Sequence, residues 1–354
     1  MGLDGVQLLR LDEYNRRTAV EAVSVNRERG TRGSRDSMQT QKQRRPGQKG
    51  NRPPSFKQHL LFLLEAIFVI PLGTLVSCLP WKLARPLGIL VGDVVFLLGK
   101  RDRRQAYYNL DVMFPDGECS QTEKDRIVKQ LFRNIALGAV EYLKMGDLRG
   151  GNHEQFVEIG DYTPLLHALE QGKGVLAVSA HFGNWEYLGS TVAKLGLSVG
   201  ALIDRQENPY TDKWLKGIRE KWGKVKCFYD DSSAMFHVDT LLKRNGILGL
   251  MADQRDIRRP VFVPFFGISS PTRDGPARLH LWYEAPIVFA FAVKQNNGKY
   301  LLSVEGPYGF ERSGDLSEDC RRIMACINLK YEEMIRKYPD QWFSLLTPRW
   351  GHPR

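Results

Sequence analysis

Read for hydrophobic and polar positions, the chain divides into a polar head, an apolar neck and a long alternating body. From Leu60 to Leu79 the residues are almost all apolar, interrupted by Glu65 and Pro71. A second apolar run, Pro86 to Gly99, carries Asp93 and closes on Arg101, Arg103 and Arg104. About 20 apolar residues suffice to span a bilayer, while an acid in the hydrocarbon costs on the order of 3 kcal/mol. Residues 58–100 therefore read as membrane-associated apolar helices, spanning or interfacial, the alternative being two helices buried in a globular core. Residues 102–148 read as helical. Asn109 to Pro115 ends one helix, and Ser120 with Glu123 forms a capping box for the next, which runs to about Met145. Beyond it, short apolar runs alternate with segments of helical period. Strands are predicted at Gly174–Ala180, Val199–Ile203, Val225–Tyr229, Ile247–Met251, Val261–Phe265 and Ile287–Val293, with an edge strand at Leu301–Glu305. Helices are predicted at Trp185–Leu195, Asn208–Trp222, Ala234–Arg244 and Gly275–Tyr283. Such alternation predicts an α/β fold, a mostly parallel sheet flanked by helices.

Charge changes the picture at the head. The chain has 51 Lys+Arg against 40 Asp+Glu, and residues 1–57 alone hold 13 against 6. That stretch, rich in Arg, Gln, Gly and Pro with no apolar period, reads as a disordered basic tail. Without interleaved aromatics it does not suit base stacking, so no nucleic-acid partner is expected. Attraction to an anionic membrane is the more economical role; a start codon placed too far upstream is the alternative. The five cysteines form no CxxC pair, which argues for a reducing, cytosolic setting rather than a disulfide framework. No G-x-G-x-x-G, P-loop or G-x-S-x-G is present, and His153-Glu154 is not completed to H-E-x-x-H. No metal site is expected.

Candidate chemistry concentrates where the strand 174–180 ends. His181 follows it, Gly183-Asn184 breaks it, and Asn184 is a plausible N-cap for a helix whose first turn contains Glu186. Carboxyl ends of strands are where open α/β sheets bind ligands. A loop between His181 and Glu186 lets the two side chains converge, and a carboxylate on one ring nitrogen raises the basicity of the other. His181 is then a general base for a hydroxyl. The plainer alternative is a buried histidine beside an acid that complements the helix dipole. Asp253-Gln254 follows the strand 247–251 and reaches the same rim, where Asp253 can approach His181 or the substrate; Arg205 reaches it after the strand 199–203. Arg219 lies three turns along the next helix, where an arginine could neutralise an oxyanion or a phosphate. Arg255, Arg258 and Arg259 read as a solvated basic loop. Phe262-Val263-Pro264-Phe265-Phe266-Gly267 is either a core strand with its turn or the lining of an acyl groove.

In order along the chain, these pieces resemble the bacterial lipid A biosynthesis acyltransferases, the lauroyl/myristoyl acyltransferase family. The resemblance runs from about Leu60 to Trp350. It rests on Asn109-Leu110 with Phe114-Pro115, His181-Phe182-Gly183-Asn184-Trp185-Glu186, Asn208-Pro209, Asp253-Gln254, Pro264-Phe265-Phe266-Gly267, and Tyr338-Pro339-Asp340-Gln341-Trp342 with Arg349-Trp350. It implies a glycerolipid-acyltransferase-like fold with an acyltransferase domain over 101–354. It implies His181 and Glu186 as the catalytic H-x4-D/E pair, and no cofactor beyond an acyl carrier protein or CoA thioester donor. The implied acceptor is a hydroxyl of a lipid A precursor or related glycolipid, at the cytoplasmic face of the inner membrane. Substrate contacts are expected from Asn184, Arg205, Arg219, Asp253 and Gln254. In two places the chain departs from the family: the arginine near Asn208-Pro209 is unusually close to it, and Phe343 to Pro348 lacks the usual aromatic and basic residues. Another lipid acceptor (a lysophospholipid, phosphoinositide mannoside or aminolipid) and a non-catalytic lipid-binding membrane protein are the competing readings.

Overall fold

Both apolar runs of the neck form helices, but they bury different amounts of themselves. A computed structural model describes residues 7–8, 55–148, 152–256 and 260–353; apart from 7–8 and 55–57, the basic tail lies outside these, as do Arg258 and Arg259. Helix α1 (Phe56–Cys78) starts on a capping box, in which Ser55 Oγ accepts from the Gln58 amide and the Gln58 side chain accepts from the Ser55 amide. Only Ala66 and Gly73 of α1 are buried, and it is long and apolar enough to cross a membrane. Helix α2 (Trp81–Leu98) packs one face on α4 (Gln121–Leu143), after α3 (Lys100–Met113). Ala84, Gly88 and Gly92, spaced four apart, are the buried residues of α2. A Cβ on Gly92 would stand 2.7 Å from Arg133 Cα, so a glycine is what lets the helices approach. Asp93, awkward for a membrane helix, is answered by Arg133, whose Nε and Nη2 donate to its carboxylate at 2.7 and 2.8 Å. The opposite face of α2 stays exposed and apolar at Leu90, Leu97 and Leu98. The reading of two helices buried in a core therefore does not describe the neck.

The body is α/β, a mostly parallel sheet flanked by helices. Its strands are β1 (Gln7–Leu8), β2 (Val157–Ile159), β3 (Val175–Ser179), β4 (Val199–Ile203), β5 (Lys226–Tyr229), β6 (Ile247–Met251), β9 (Ile287–Lys294) and β10 (Tyr300–Gly309). They lie in the order β1-β10-β9-β3-β6-β4-β5, with β2 also on β10. Strands β9, β3, β6, β4 and β5 are parallel, and β10 runs antiparallel to β9. The crossovers are α5 (Thr163–Glu170), α6 (Trp185–Lys194), α7 (Pro209–Lys221), α8 (Ala234–Lys243) and α9 (Gly275–Tyr283), followed by α10 (Leu316–Lys337). Side chains alternate across the sheet, as its period of two requires. Leu176, Val178, Leu248, Leu250 and Phe289 join one apolar cluster with α8, α9 and α10. Val175, Val199, Ile247, Val288 and Ala290 join another with α5, α6 and α7. Strand β10 is longer than the edge strand predicted, because β2 and β1 cover its outer side.

Strand β7 (Val261–Phe265) differs from expectation. It pairs only with β8 (Ile268–Thr272), as a separate hairpin. Pro264 and Pro271 explain this, since neither can donate to a ladder and a two-stranded ribbon has free edges that tolerate them. Nor does the aromatic run line an acyl groove. Val263, Phe265 and Phe266 are buried, and Phe265 stacks on Trp350 at 5.4 Å and meets Trp342 edge-on at 5.8 Å, so these three are core while Phe262 is exposed.

Candidate active site

Strand register decides which side chains meet. Strands β3 and β6 are neighbours with Ser179 opposite Met251, so the residues two beyond each, His181 and Asp253, leave the sheet side by side. His181 Nδ1 lies 2.8 Å from Asp253 Oδ1, which also accepts from the His181 amide at 3.1 Å. The other oxygen, Oδ2, accepts from Trp342 Nε1 at 2.9 Å and Ser344 Oγ at 2.6 Å. Asp253 is fully buried, so this full set of donors is what makes its charge tolerable. Burial works against ionisation of both groups, but their mutual attraction wins: Asp253 stays below the usual carboxylate range and His181 above its ordinary value. Glu186 and Asp204 add smaller contributions in the same direction on His181.

The expected contact between Glu186 and His181 is therefore made by Asp253 instead. Glu186 lies in the first turn of α6 and is gripped by Arg219 of α7, whose Nε donates to Oε2 at 2.8 Å while Nη2 donates to Oε1. The carboxylate turns toward α7 because a bidentate guanidinium is a stronger partner than a ring nitrogen already taken. Arg219, mostly buried, has its positive charge reinforced by that pairing. Two hydrogen-bonded pairs thus stand at the rim, His181 with Asp253 and Glu186 with Arg219.

The turn between them is braced from below. Gly183 has φ of +56°, and a Cβ there would fall 1.9 Å from the Ala292 carbonyl oxygen, so only glycine fits. Its amide donates to the Gln341 carbonyl, and Gln341 in turn brackets Lys294 with both side-chain heteroatoms. Phe182 bridges to Trp342, and the Phe343 amide donates to the His181 carbonyl. Asn184 is the N-cap of α6, its Oδ1 accepting from the Tyr187 amide at 2.9 Å. Its Nδ2 donates at 2.7 Å to Glu141, a buried acid that burial pushes toward protonation and that also accepts from Tyr300. Asn184 lines the cleft, but both of its side-chain heteroatoms are committed to the protein.

That cleft has a volume of about 600 Å³ and shares Trp185, Glu186 and Arg219 with a narrower apolar cavity of about 100 Å³ beneath α6. One wall is apolar and comes from Val69, Leu72 and Val76 of α1; the other carries Asp204, Gln206, Asp212 and Lys216. His181 itself borders neither cavity; it meets the cleft through Trp185, a lining residue whose ring it faces edge-on at 5.3 Å, and 28% of its side chain is exposed.

Three expected substrate contacts are not brought in, the first being Asp253, which is fully buried, borders neither cavity and has both carboxylate oxygens bound to the protein. Arg205 points to the outer edge of the sheet, pairing with Asp231 at 3.0 Å and lying 3.7 Å over the Tyr229 ring. Gln254 is exposed and borders neither cavity, because Asp253 turns inward and alternation sends its neighbour out. Conversely, Trp342, Ser344 and Glu141 had not been singled out as site residues. The Gln341-Trp342 pair was visible as a motif, but its purpose shows only once the C-terminus folds back over β3 and β6.

Residues 53–351 match the family described as bacterial lipid A biosynthesis acyltransferase. The chain is 24% identical over 298 residues to a Shigella flexneri protein named lipid A biosynthesis acyltransferase 2, covering 83% of this chain and 92% of that one. It is also 24% identical over 299 residues to the lipid A biosynthesis lauroyltransferase of Escherichia coli (strain K12), covering 82% and 94%.

Proposed function

Because the chain belongs to the bacterial lipid A biosynthesis acyltransferase family and so is an acyltransferase, we propose that it moves a fatty acyl chain from a thioester of acyl carrier protein or CoA to a hydroxyl of a lipid A precursor or related glycolipid. The observation that carries the reading is the hydrogen-bonded His181–Asp253 pair packed on Trp185, which lines a cleft with one apolar wall.

With Nδ1–H donating to Asp253, the neutral ring presents Nε2 as the base. It takes the acceptor's hydroxyl proton as that oxygen adds to the thioester carbonyl. The tetrahedral oxyanion then collapses, the carbon–sulfur bond breaks, and the thiolate recovers the proton from His181 to leave an ester and a free thiol. Arg219 has five N–H donors and spends two on Glu186, so it can also offer one to the oxyanion. Glu186 fixes the guanidinium, which makes it a positioning residue that acts through Arg219 rather than through His181. Helix α1 supports both membrane association and delivery of the lipid, since its side chains wall the cleft. The basic sequence before it suits an anionic cytoplasmic surface.

The test is acyl transfer from a long-chain thioester by protein in lipid nanodiscs. His181→Ala and Glu186→Ala are each expected to lose at least about a hundredfold in rate, with circular dichroism and membrane recovery unchanged. Wild-type turnover in either variant would overturn the mechanism.

A further inference from the structure

The Arg349-Trp350 pair takes no part in the steps above, yet its arginine is fully buried. Resting on the acyl-transfer reading, we propose that Arg349 is a positioning residue for the reaction. It is the standing counter-charge that keeps Asp253 ionised while His181 is neutral, and it acts across aromatic packing rather than through a salt bridge.

The partners of this guanidinium are neutral. Nη1 donates to the Pro271 carbonyl at 2.7 Å, Nη2 donates to Thr272 Oγ1 at 2.8 Å, and the Phe265 ring centre lies 4.7 Å away. Among the described residues Nε has no acceptor and no carboxylate comes within 4.0 Å. The other buried Lys or Arg among them, Lys144, has Asp147 at 2.9 Å. An unpaired buried charge is costly, so the compensating charge must lie further off. Asp253 is the matching case. It is fully buried, and while His181 is neutral its donors (the His181 amide and ring, Trp342 and Ser344) are all uncharged. Phe265 joins the two sites, since the ring that Arg349 covers also meets Trp342 edge-on at 5.8 Å. Rings rather than water separate the two charges, and attraction in such a medium reaches well beyond hydrogen-bond distance.

The titratable groups around this arrangement have consistent signs. Burial pulls the pKa of Arg349 down to about 10, which leaves it a cation at any working pH. Asp253 acts in the opposite sense, followed by Tyr331 of α10, while Arg255 after β6 adds to the unfavourable side. Tyr331 is fully buried and donates its hydroxyl to the Ser179 carbonyl at 2.7 Å, so it is a neutral neighbour of the carboxylate. On the His181 side, Glu186 and Asp204 add to the effect of Asp253. Arg349 thus faces a pair whose charge alternates in catalysis, a lone carboxylate before proton transfer and a carboxylate with an imidazolium after it. A fixed positive charge favours the first state over the second. It keeps the base free, and it helps the imidazolium return its proton to the thiolate.

The experiment is a pH profile of kcat/KM for the full chain in nanodiscs, wild type against Arg349→Gln. The donor is a long-chain CoA or carrier-protein thioester and the acceptor an acylated glucosamine disaccharide. Losing the cation makes the pair easier to protonate, so the acid limb should move up by at least about half a pH unit, about threefold in proton affinity. KM should stay within about twofold, because Arg349 borders neither cavity; a larger rise would put Arg349 at the substrate and overturn the inference. An arginine that only ties the β7–β8 hairpin to the body would lower the melting temperature and leave the limb in place. A smaller or downward shift therefore overturns this inference and leaves acyl transfer standing. Should Arg349→Gln not fold, the double variant Asp253→Asn/Arg349→Gln decides. Lacking both charges, it is expected to give the circular dichroism of the wild type, and its failure to do so also overturns the inference. Absence of His181-dependent transfer in the wild type overturns the acyl-transfer reading and this one with it.

Discussion

His181 and Glu186 lie five positions apart, yet each is bound to a different partner, and this divides the work between them. Asp253 sets the ring's tautomer and charge, so it should govern the pH dependence. A base must be unprotonated to act, so the rate falls as pH drops through the raised value of His181, putting the acid limb of kcat/KM above pH 6.5. In Asp253→Asn the counter-charge is lost, and the acid limb should move to lower pH while the plateau rate falls about a hundredfold or more. A pH–rate profile of both proteins checks this, and an unmoved limb would show that Asp253 does not set the ring's charge. The same pair has a stability window with its own signs. Asp253, held low, stabilises above the ordinary carboxylate value of 3.8 and less as pH falls through its folded value; His181, held high, stabilises below 6.5 and less as pH rises through its own. At this scale the residues were legible, with Asp253 on the rim within reach of His181 or the substrate, but local spacing pointed to Glu186 as the ring's partner. The motif His181 to Glu186 is local and legible, whereas the meeting of His181 with Asp253 depends on β6 being inserted next to β3, and strand order leaves no local trace. Trp342 and Ser344 were hidden for the same reason, being 89 and 91 positions from the carboxylate they serve.

Elements were read more easily than pairings, because periodicity and caps are local. Strands β4, β6 and β7 and helix α9 have the predicted bounds, and the Ser120–Glu123 capping box starts α4 as expected. What could not be read was the use of an element's end by another element, and Asn208-Pro209 shows why. Pro209 opens α7, where its missing N–H costs nothing, and Asn208 Oδ1 caps the helix by accepting from the Tyr210 amide at 3.0 Å. The same side chain donates Nδ2 to the Phe62 carbonyl of α1 at 2.9 Å, joining the helix that carries Arg219 to the one that walls the cleft. Two substitutions separate these roles. Asn208→Asp keeps an acceptor for the cap but has no donor for Phe62, so α7 should remain stable while α1 loosens. Asn208→Ala loses both, at about 1 kcal/mol for the cap alone. Hydrogen exchange is the measure: amides of 60–66 should exchange faster in both variants, and those of α7 only in Asn208→Ala. Equal protection in α1 across all three proteins would mean the contact does not dock the helix.

For the whole molecule, the proposed function makes membrane attachment and catalysis share a helix. Lys144 strengthens the union at the other end of α1, its buried ammonium donating to the Ser77 and Leu79 carbonyls at 2.9 and 2.8 Å. A simple tether could be cut without chemical cost, but α1 supplies Val69, Leu72 and Val76 to the cleft, so its removal opens that wall to water. The residues before it bring charge, 12 Lys+Arg against 6 Asp+Glu over 1–55, besides the two-residue strand β1 on β10. Deletions at two points should therefore behave differently. Removing 1–54 preserves the capping box of Ser55 and Gln58. It should weaken sedimentation with anionic vesicles, more so at low salt, and leave the rate in nanodiscs within about twofold. Removing 1–79 should abolish transfer even to a detergent-dispersed acceptor and a short-chain thioester, for which no membrane is needed, while circular dichroism still reports the α/β body. The second substrate pair matters because it removes delivery from the comparison. Should that truncated protein turn over short, soluble substrates at the full-length rate, α1 would be an anchor only, and the cleft would have to be closed by the body itself.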